Sequence, residues 1–283
     1  MSDDQIAKAR RFYNLHHMPG MFLMPDAWNA ESARMLQAAG FPAIATTQSG
    51  IAESLGLGEN EECITLRQTI EAIHAIAGAI DLPLSADFEA GYGATPEDVA
   101  EAVWRAIDVG AVGGTISDHS GVPGLQMFDV EQAADRIAAA RDAADGTEIK
   151  YTLTAQIDCY LTNMEAPFAA VVRRAALYRA AGADCLFVPG VSNLATIASL
   201  AREINAPLAV AVGNGNNSFA IADLKNAGVK RVNLGGSLAR ATLGLIRRAA
   251  EEMMATGTFN FANDLITGAE SSRPQPLRME QRV

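Results

Sequence analysis

Eight short apolar runs, each followed by a longer stretch with helical spacing, constrain the fold of this chain more than any other feature. They fall at about 21–24, 43–46, 84–86, 112–116, 151–155, 185–188, 208–212 and 231–234. Near-continuous apolar strands separated by helices read as a parallel sheet covered by helices. Eight such units predict a closed (β/α)8 TIM barrel. A chain of 283 residues, 49% of them hydrophobic, can bury one core of that size. The spacing predicts a single barrel domain over 1–270 and a tail over 271–283, where Pro274 and Pro276 stand among polar residues. An additional helix at about 4–15 precedes the first strand and is placed to cap the barrel's lower end.

Local signals agree with that plan. Thr95-Pro96-Glu97-Asp98 offers a capping hydroxyl, a proline at the first helical position and acids against the helix dipole. Val99, Val103, Ala106 and Ile107 then form one apolar stripe. Gly40, Gly182 and Gly228 each follow an alanine-rich helix end and immediately precede a strand, one device used three times.

The segment Leu84-Ser85-Ala86-Asp87-Phe88-Glu89-Ala90-Gly91-Tyr92-Gly93 ends an apolar run in two carboxylates two residues apart. If the strand continues through Glu89, both side chains point the same way. Close carboxylates repel and lose solvation, and a hard divalent cation with oxygen ligands removes the conflict. The pair is therefore read as a Mg2+ or Mn2+ site. Barrel enzymes place their chemistry at the C-terminal ends of the strands, which collects Asp26, Ser49, Gly50, Glu59, Asp87, Glu89, Asp118, His119, Gln156, Asp158 and Asn214 at one mouth.

Charge and composition narrow the partners. A formal net charge of −11 argues against nucleic acid and anionic membranes. No run reaches the ~18 apolar residues of a membrane span, and the polar start is unlike a signal peptide. Cys63, Cys159 and Cys185 are odd in number and far apart, which suits free thiols and a cytoplasmic location.

These residues resemble the isocitrate lyase/phosphoenolpyruvate mutase superfamily, particularly its short bacterial members, among them oxaloacetate decarboxylase-like and 2-oxo acid lyase-like proteins. The resemblance runs from about Phe22 to Asn260 and is carried by Pro25 to Ala33, Thr46 to Ala52, Ala86 to Gly93, Phe187 to Gly190 and Arg231 to Gly235. It implies a barrel of the phosphoenolpyruvate/pyruvate type with a C-terminal helix exchanged between subunits of a homo-oligomer, a dimer or tetramer. It also implies Mg2+-dependent chemistry on small 2-oxo or 2-hydroxy carboxylates. By position, Asp87 corresponds to the direct metal ligand, Glu89 to an acid acting through water, and Glu59 to the acid that closes the second loop. Ser49, Gly50 and Ile51 correspond to the turn that binds the substrate carboxylate.

Departures from the family pattern bear on the reaction. Ile116-Ser117-Asp118-His119 replaces the usual Asn-Ile-Glu-Asp, leaving Asp118 as the metal-ligand candidate there. Gln156 stands where an arginine commonly pairs with substrate, and a neutral amide lacks the fixed charge of a guanidinium. The loop after Asp118 lacks the Lys-Cys-Gly-His of isocitrate and methylisocitrate lyases and the Lys and Asn of the phosphonate-forming mutases. The expected activity is Mg2+- or Mn2+-dependent cleavage of a C–C bond in a small 2-oxo or 2-hydroxy acid through a metal-stabilised enolate. Asp118, His119 and Gln156 are the catalytic candidates, with His119 as proton donor. Gln156 and Asn214 join Ser49, Gly50 and Ile51 as substrate contacts. The alternatives are a P–C mutase or hydrolase of the same superfamily and a non-catalytic carboxylate-binding barrel.

Overall fold

The computed structural model describes residues 1–58, 64–122, 125–162, 164–213 and 219–268. The tail expected from 271, Cys63 and the two site candidates Glu59 and Asn214 lie outside the described residues.

The strands are β1 (Phe22–Met24), β2 (Asp26–Ala27), β3 (Ile44–Thr46), β4 (Leu84–Asp87), β5 (Gly113–Ser117), β6 (His119–Val122), β7 (Leu125–Met127), β8 (Thr152–Gln156), β9 (Cys185–Phe187), β10 (Leu208–Ala211) and β11 (Arg231–Asn233). Nine of them form one parallel sheet in the order β1-β11-β10-β9-β8-β5-β4-β3-β2. β1 and β2 are two halves of one strand split at Pro25. Proline has no amide hydrogen and breaks the ladder there, so β1 pairs with β11 while β2 pairs with β3. The ring closes across that break, and all eight strand positions read from the apolar runs are occupied. The surrounding α-helices are α1 (Asp3–His17), α2 (Ala30–Ala38), α3 (Gln48–Ser54), α4 (Leu66–Ala77), α5 (Pro96–Asp108), α6 (Val130–Asp145), α7 (Pro167–Ala180), α8 (Leu194–Ile204), α9 (Ile221–Asn226) and α10 (Ser237–Thr256).

The N-terminal helix plugs the lower end. Phe12 and His16 of α1 are buried, and Gln5 donates to the carbonyls of Ile107 (2.7 Å) and Ala111 (3.3 Å). Gly113 at the start of β5 lets the Phe12 ring in: a Cβ there would collide with the ring and stand 2.9 Å from the Thr152 carbonyl. The predicted stripe of α5 is buried, and Thr95 and Asp98 form a reciprocal capping box with Pro96 at the first turn. Gly40, Gly182 and Gly228 leave their helices with φ of 87°, 105° and 86°, the left-handed turn expected at those points.

Two elements depart from the sequence reading. The segment after β5, expected as a loop, forms an antiparallel hairpin in which His119 pairs with Met127. Helix α10 buries Ala239 alone among its residues, while Leu243, Leu245, Ile246 and Met254 are exposed.

Candidate functional site

β4 ends at Asp87, whose amide donates to Thr46 Oγ1 at 2.8 Å. Its carboxylate receives two long hydrogen bonds, from the amides of Gln48 (3.4 Å) and Glu89 (3.3 Å). The expected extension does not persist: Phe88 turns into the core and Glu89 adopts φ +46°, so strand alternation is not what aligns the acids. A tight turn does so instead. Gly91 N bonds to Phe88 O (2.7 Å), Ser117 N bonds to Glu89 O (2.8 Å), and the Glu89 amide turns back onto Asp87 Oδ1. Burial, with the negative charge of Asp158 adding to it, pushes the Asp87 carboxyl up to about 6 despite these hydrogen bonds.

Further acids surround the pair. Asp26 accepts from the amides of Leu234 and Gly235, each at 2.9 Å, and burial together with the charge of Asp87 raises it to about 7. Asp158 accepts from Ser117 Oγ (2.5 Å) and from Gln156 Nε2 (2.9 and 3.2 Å), and burial raises its carboxyl as well. Gln156 is thus directed at Asp158 by its position two residues earlier on β8.

Asp118 is turned away from the Asp87–Glu89 pair. Its Oδ1 accepts from the Asp158 amide (2.9 Å) and its Oδ2 from Arg174 Nη1 (3.0 Å) and Tyr178 OH (2.8 Å). Arg174 and Tyr178, four residues apart on α7, present both donors on one helix face. Asp118, expected among the metal ligands, has both carboxylate oxygens engaged by protein donors and anchors α7 to the end of β5 in a buried ion pair. Among the described residues, no three His, Cys, Asp or Glu side chains are grouped to hold a metal ion.

Ser49, Gly50 and Ile51 occupy the first turn of α3, which Thr47 caps. The Gly50 amide donates to Thr47 Oγ1 (3.4 Å) and the Ile51 amide to Thr47 O (3.0 Å), so both amides are engaged by the helix itself. Ser49 Oγ lies 3.1 Å from Thr47 Oγ1. It occupies space that a Cβ on Gly236, just before α10, would need: such a Cβ would stand 2.6 Å from Ser49 Oγ and 3.5 Å from the Arg240 guanidinium carbon. His119 is exposed on the hairpin. Its amide donates to Ser117 Oγ (2.8 Å), and its Nδ1 accepts from the Gly121 amide (3.2 Å), which leaves Nε2 as the protonated nitrogen of the neutral ring.

Three features escaped the sequence reading. Asp158 was collected at the mouth without a role, yet it is the acid whose charge reaches Asp87. Tyr92 spans the mouth, donating to Gln48 Oε1 at 2.7 Å and bonding Thr69 Oγ1. Arg136 and Arg174 brace the site from α6 and α7, and each was legible as a charge set within an apolar helical stripe.

The family described as phosphoenolpyruvate phosphomutase matches residues 12–254. The chain belongs to that family. It is thereby a member of the isocitrate lyase/phosphoenolpyruvate mutase superfamily. A Burkholderia cenocepacia J2315 protein, provisionally described as a lyase/mutase in its crystal structure, superposes with a TM-score of 0.92 at 39% identity, covering 97% of this chain and 99% of that one. An uncharacterized protein of Mycobacterium tuberculosis is 31% identical over 79% of this chain and 81% of its own length. The 2-methylisocitrate lyase of Escherichia coli (strain K12) is 32% identical over 64% of this chain and 61% of that enzyme. Within this family fold, the acid pair lies where the strands end, the face on which barrel enzymes work.

Proposed function

We propose that this phosphomutase-family barrel is a Mg2+- or Mn2+-dependent lyase that cleaves a C–C bond in a small 2-oxo or 2-hydroxy carboxylate. The observation that carries the reading is the Asp87 carboxylate at the barrel mouth, held by two long amide hydrogen bonds, one of them from Glu89 in the turn beside it. A carboxylate buried at a strand end loses solvation, and the Asp87 oxygens, long-bonded to two amides, suit a hard cation. Mg2+ commonly keeps several waters and takes only one or two carboxylates, so Asp87 and Glu89 fit as its protein ligands. When bound, such an ion would stabilise negative charge developing on the substrate's oxygens.

The chain's own residues supply the rest. Ser49 Oγ, at the capped start of α3, would orient the substrate carboxylate, with Gly50 and Ile51 shaping that turn. Gln156, an amide where the family commonly has arginine, would contact an uncharged part of the substrate, selecting acids with fewer anionic groups. Asp158, made more basic by burial and oriented by Ser117 and Gln156, would take the proton from a substrate hydroxyl as the C–C bond breaks. The electron pair of that bond passes to the fragment carbon, and His119 Nε2–H would return a proton there. The 2-methylisocitrate lyase relative supports a C–C cleavage of this kind. We also read the bare apolar face of α10 as the contact surface of a homo-oligomer, and the buried free thiols of Cys159 and Cys185 as suited to a reducing cytoplasm.

The test is a panel of 2-oxo and 2-hydroxy acids incubated with purified protein and Mg2+ or Mn2+, with keto-acid products followed by chromatography. Release of pyruvate, glyoxylate or a close analogue is expected, abolished by EDTA and reduced at least about 100-fold by Asp87→Ala. Failure of the wild type to turn over any member of the panel would remove the lyase reading.

A further inference from the structure

Helix α6 carries a cation on its buried stripe. Ala133, Ile137, Ala140 and Ala144 are all buried, and Arg136 lies among them with 1% of its surface exposed. A guanidinium is strongly disfavoured in such a place unless its donors are engaged. Both Nη groups are committed to main-chain carbonyls. Nη2 donates to Ala90 O and, at 2.9 Å, to Gly93 O, while Nη1 reaches Ser117 O at 3.4 Å. The plane of the group covers the Phe128 ring, its central carbon 4.1 Å from the ring centroid. These acceptors belong to two segments: the turn after β4 that bears Glu89 and Tyr92, and the end of β5.

That turn requires outside support. Glu89 (φ +46°) and Tyr92 (φ +64°) both adopt the left-handed conformation that side-chain-bearing residues disfavour. Gly91 packs so closely that an added Cβ would stand 2.8 Å from Val99 Cγ2 and 3.2 Å from Arg136 Nη2. The main chain of Glu89 is bound on one side to Asp87 through its amide and on the other to Ser117 through its carbonyl. The next carbonyl along, that of Ala90, is the one Arg136 holds.

We propose that Arg136 is a positioning residue: by fixing the Ala90 and Gly93 carbonyls it sets the Glu89 carboxylate against Asp87, and with it the affinity of the pair for a divalent cation. The inference rests on the metal-site reading given under Proposed function. It is tested by Mn2+ binding, followed by the loss of the free-ion electron paramagnetic resonance signal, on the wild type, Arg136→Lys, Arg136→Met, Glu89→Gln and the Glu89→Gln double variants, with near-ultraviolet circular dichroism as a control for folding. Arg136→Met should weaken Mn2+ binding about tenfold or more. Arg136→Lys should lose less, because an ammonium still donates to one carbonyl although it cannot reproduce the planar fork. Neither change should weaken binding further once Glu89 is glutamine, since interacting sites are not additive. Should Arg136→Met fail to fold, the lysine variant and its double with Glu89→Gln decide the matter. Wild-type affinity in the folded variants, or an equal loss with and without Glu89, overturns the positioning role and leaves the metal site standing. A wild type that binds no Mn2+ overturns both.

Discussion

A buried carboxylate with its arginine partner and a buried histidine show how single side chains constrain this molecule. Arg174 neutralises Asp118 behind the mouth, at 3.0 Å and almost out of solvent. Replacing it with methionine leaves an unpaired buried carboxylate, a loss of about 3–5 kcal/mol; denaturant titration at neutral pH should read that loss. His16 gives a pH effect of definite sign. Its Nδ1 faces the Phe12 carbonyl (3.0 Å), which can only accept, and its Nε2 faces Arg231 Nη1 (3.1 Å), which can only donate. The ring is therefore neutral with its proton on Nδ1, and burial, reinforced by the charge of Arg231, lowers it to about 3. A group depressed in the native state contributes stability above its unfolded value of about 6.5 that is lost as the pH falls toward the folded one. The raised carboxyl groups of Asp26, Asp87 and Asp118 act in the opposite sense, so the test is a difference. Between pH 6.5 and pH 4, the stability of the wild type relative to His16→Gln should fall by about 1.4 kcal/mol per unit. A pH-independent difference would show that His16 is not held neutral.

At the level of elements, the strands were legible because a barrel strand is buried on both faces and reads as an apolar run. The capping signals at Thr95 and the glycine-ended helices were equally open, since each depends on a few neighbouring residues. What stayed hidden depended on distant partners. The turn at Glu89 is held by Ser117 and Arg136, residues far along the chain, so alternation suggests an extended strand where the chain turns. Asp118 was read as a site acid because its partners, Arg174 and Tyr178, lie some sixty residues away on α7. The hairpin beginning at His119 was missed because a Ser-Gly-Val-Pro-Gly segment looks like a loop when its pairing partner is unknown. Packing of α1 beneath the barrel supplies a sharp test. Gly113→Ala puts a methyl group into the Phe12 ring and against the Thr152 carbonyl; it should destabilise the protein by about 1–3 kcal/mol in thermal or chemical unfolding. An unchanged midpoint would mean that α1 does not seat there in solution.

For the whole molecule, the uneven distribution of apolar surface matters most. Helices α3 to α8 and the floor helix α1 each bury at least three residues, whereas the 20-residue α10 leaves Leu243, Leu245, Ile246 and Met254 bare, followed by Phe259, Leu265 and Ile266. Exposed apolar side chains in this number support the association surface proposed above. Sedimentation velocity should find the wild type as an oligomer, and Leu245→Glu with Ile246→Glu should shift it to smaller species. A wild-type monomer across micromolar concentrations would remove the oligomer proposal. The break at Pro25 has its own consequence for the cylinder. Pro25 has no amide hydrogen to offer at that joint, and the Asp26 carboxylate beside it clasps the amides of Leu234 and Gly235. The first and last strands of the wall, already paired through β1 and β11, are thus buckled a second time by an ionisable side chain, next door to the acids that would grip the cation.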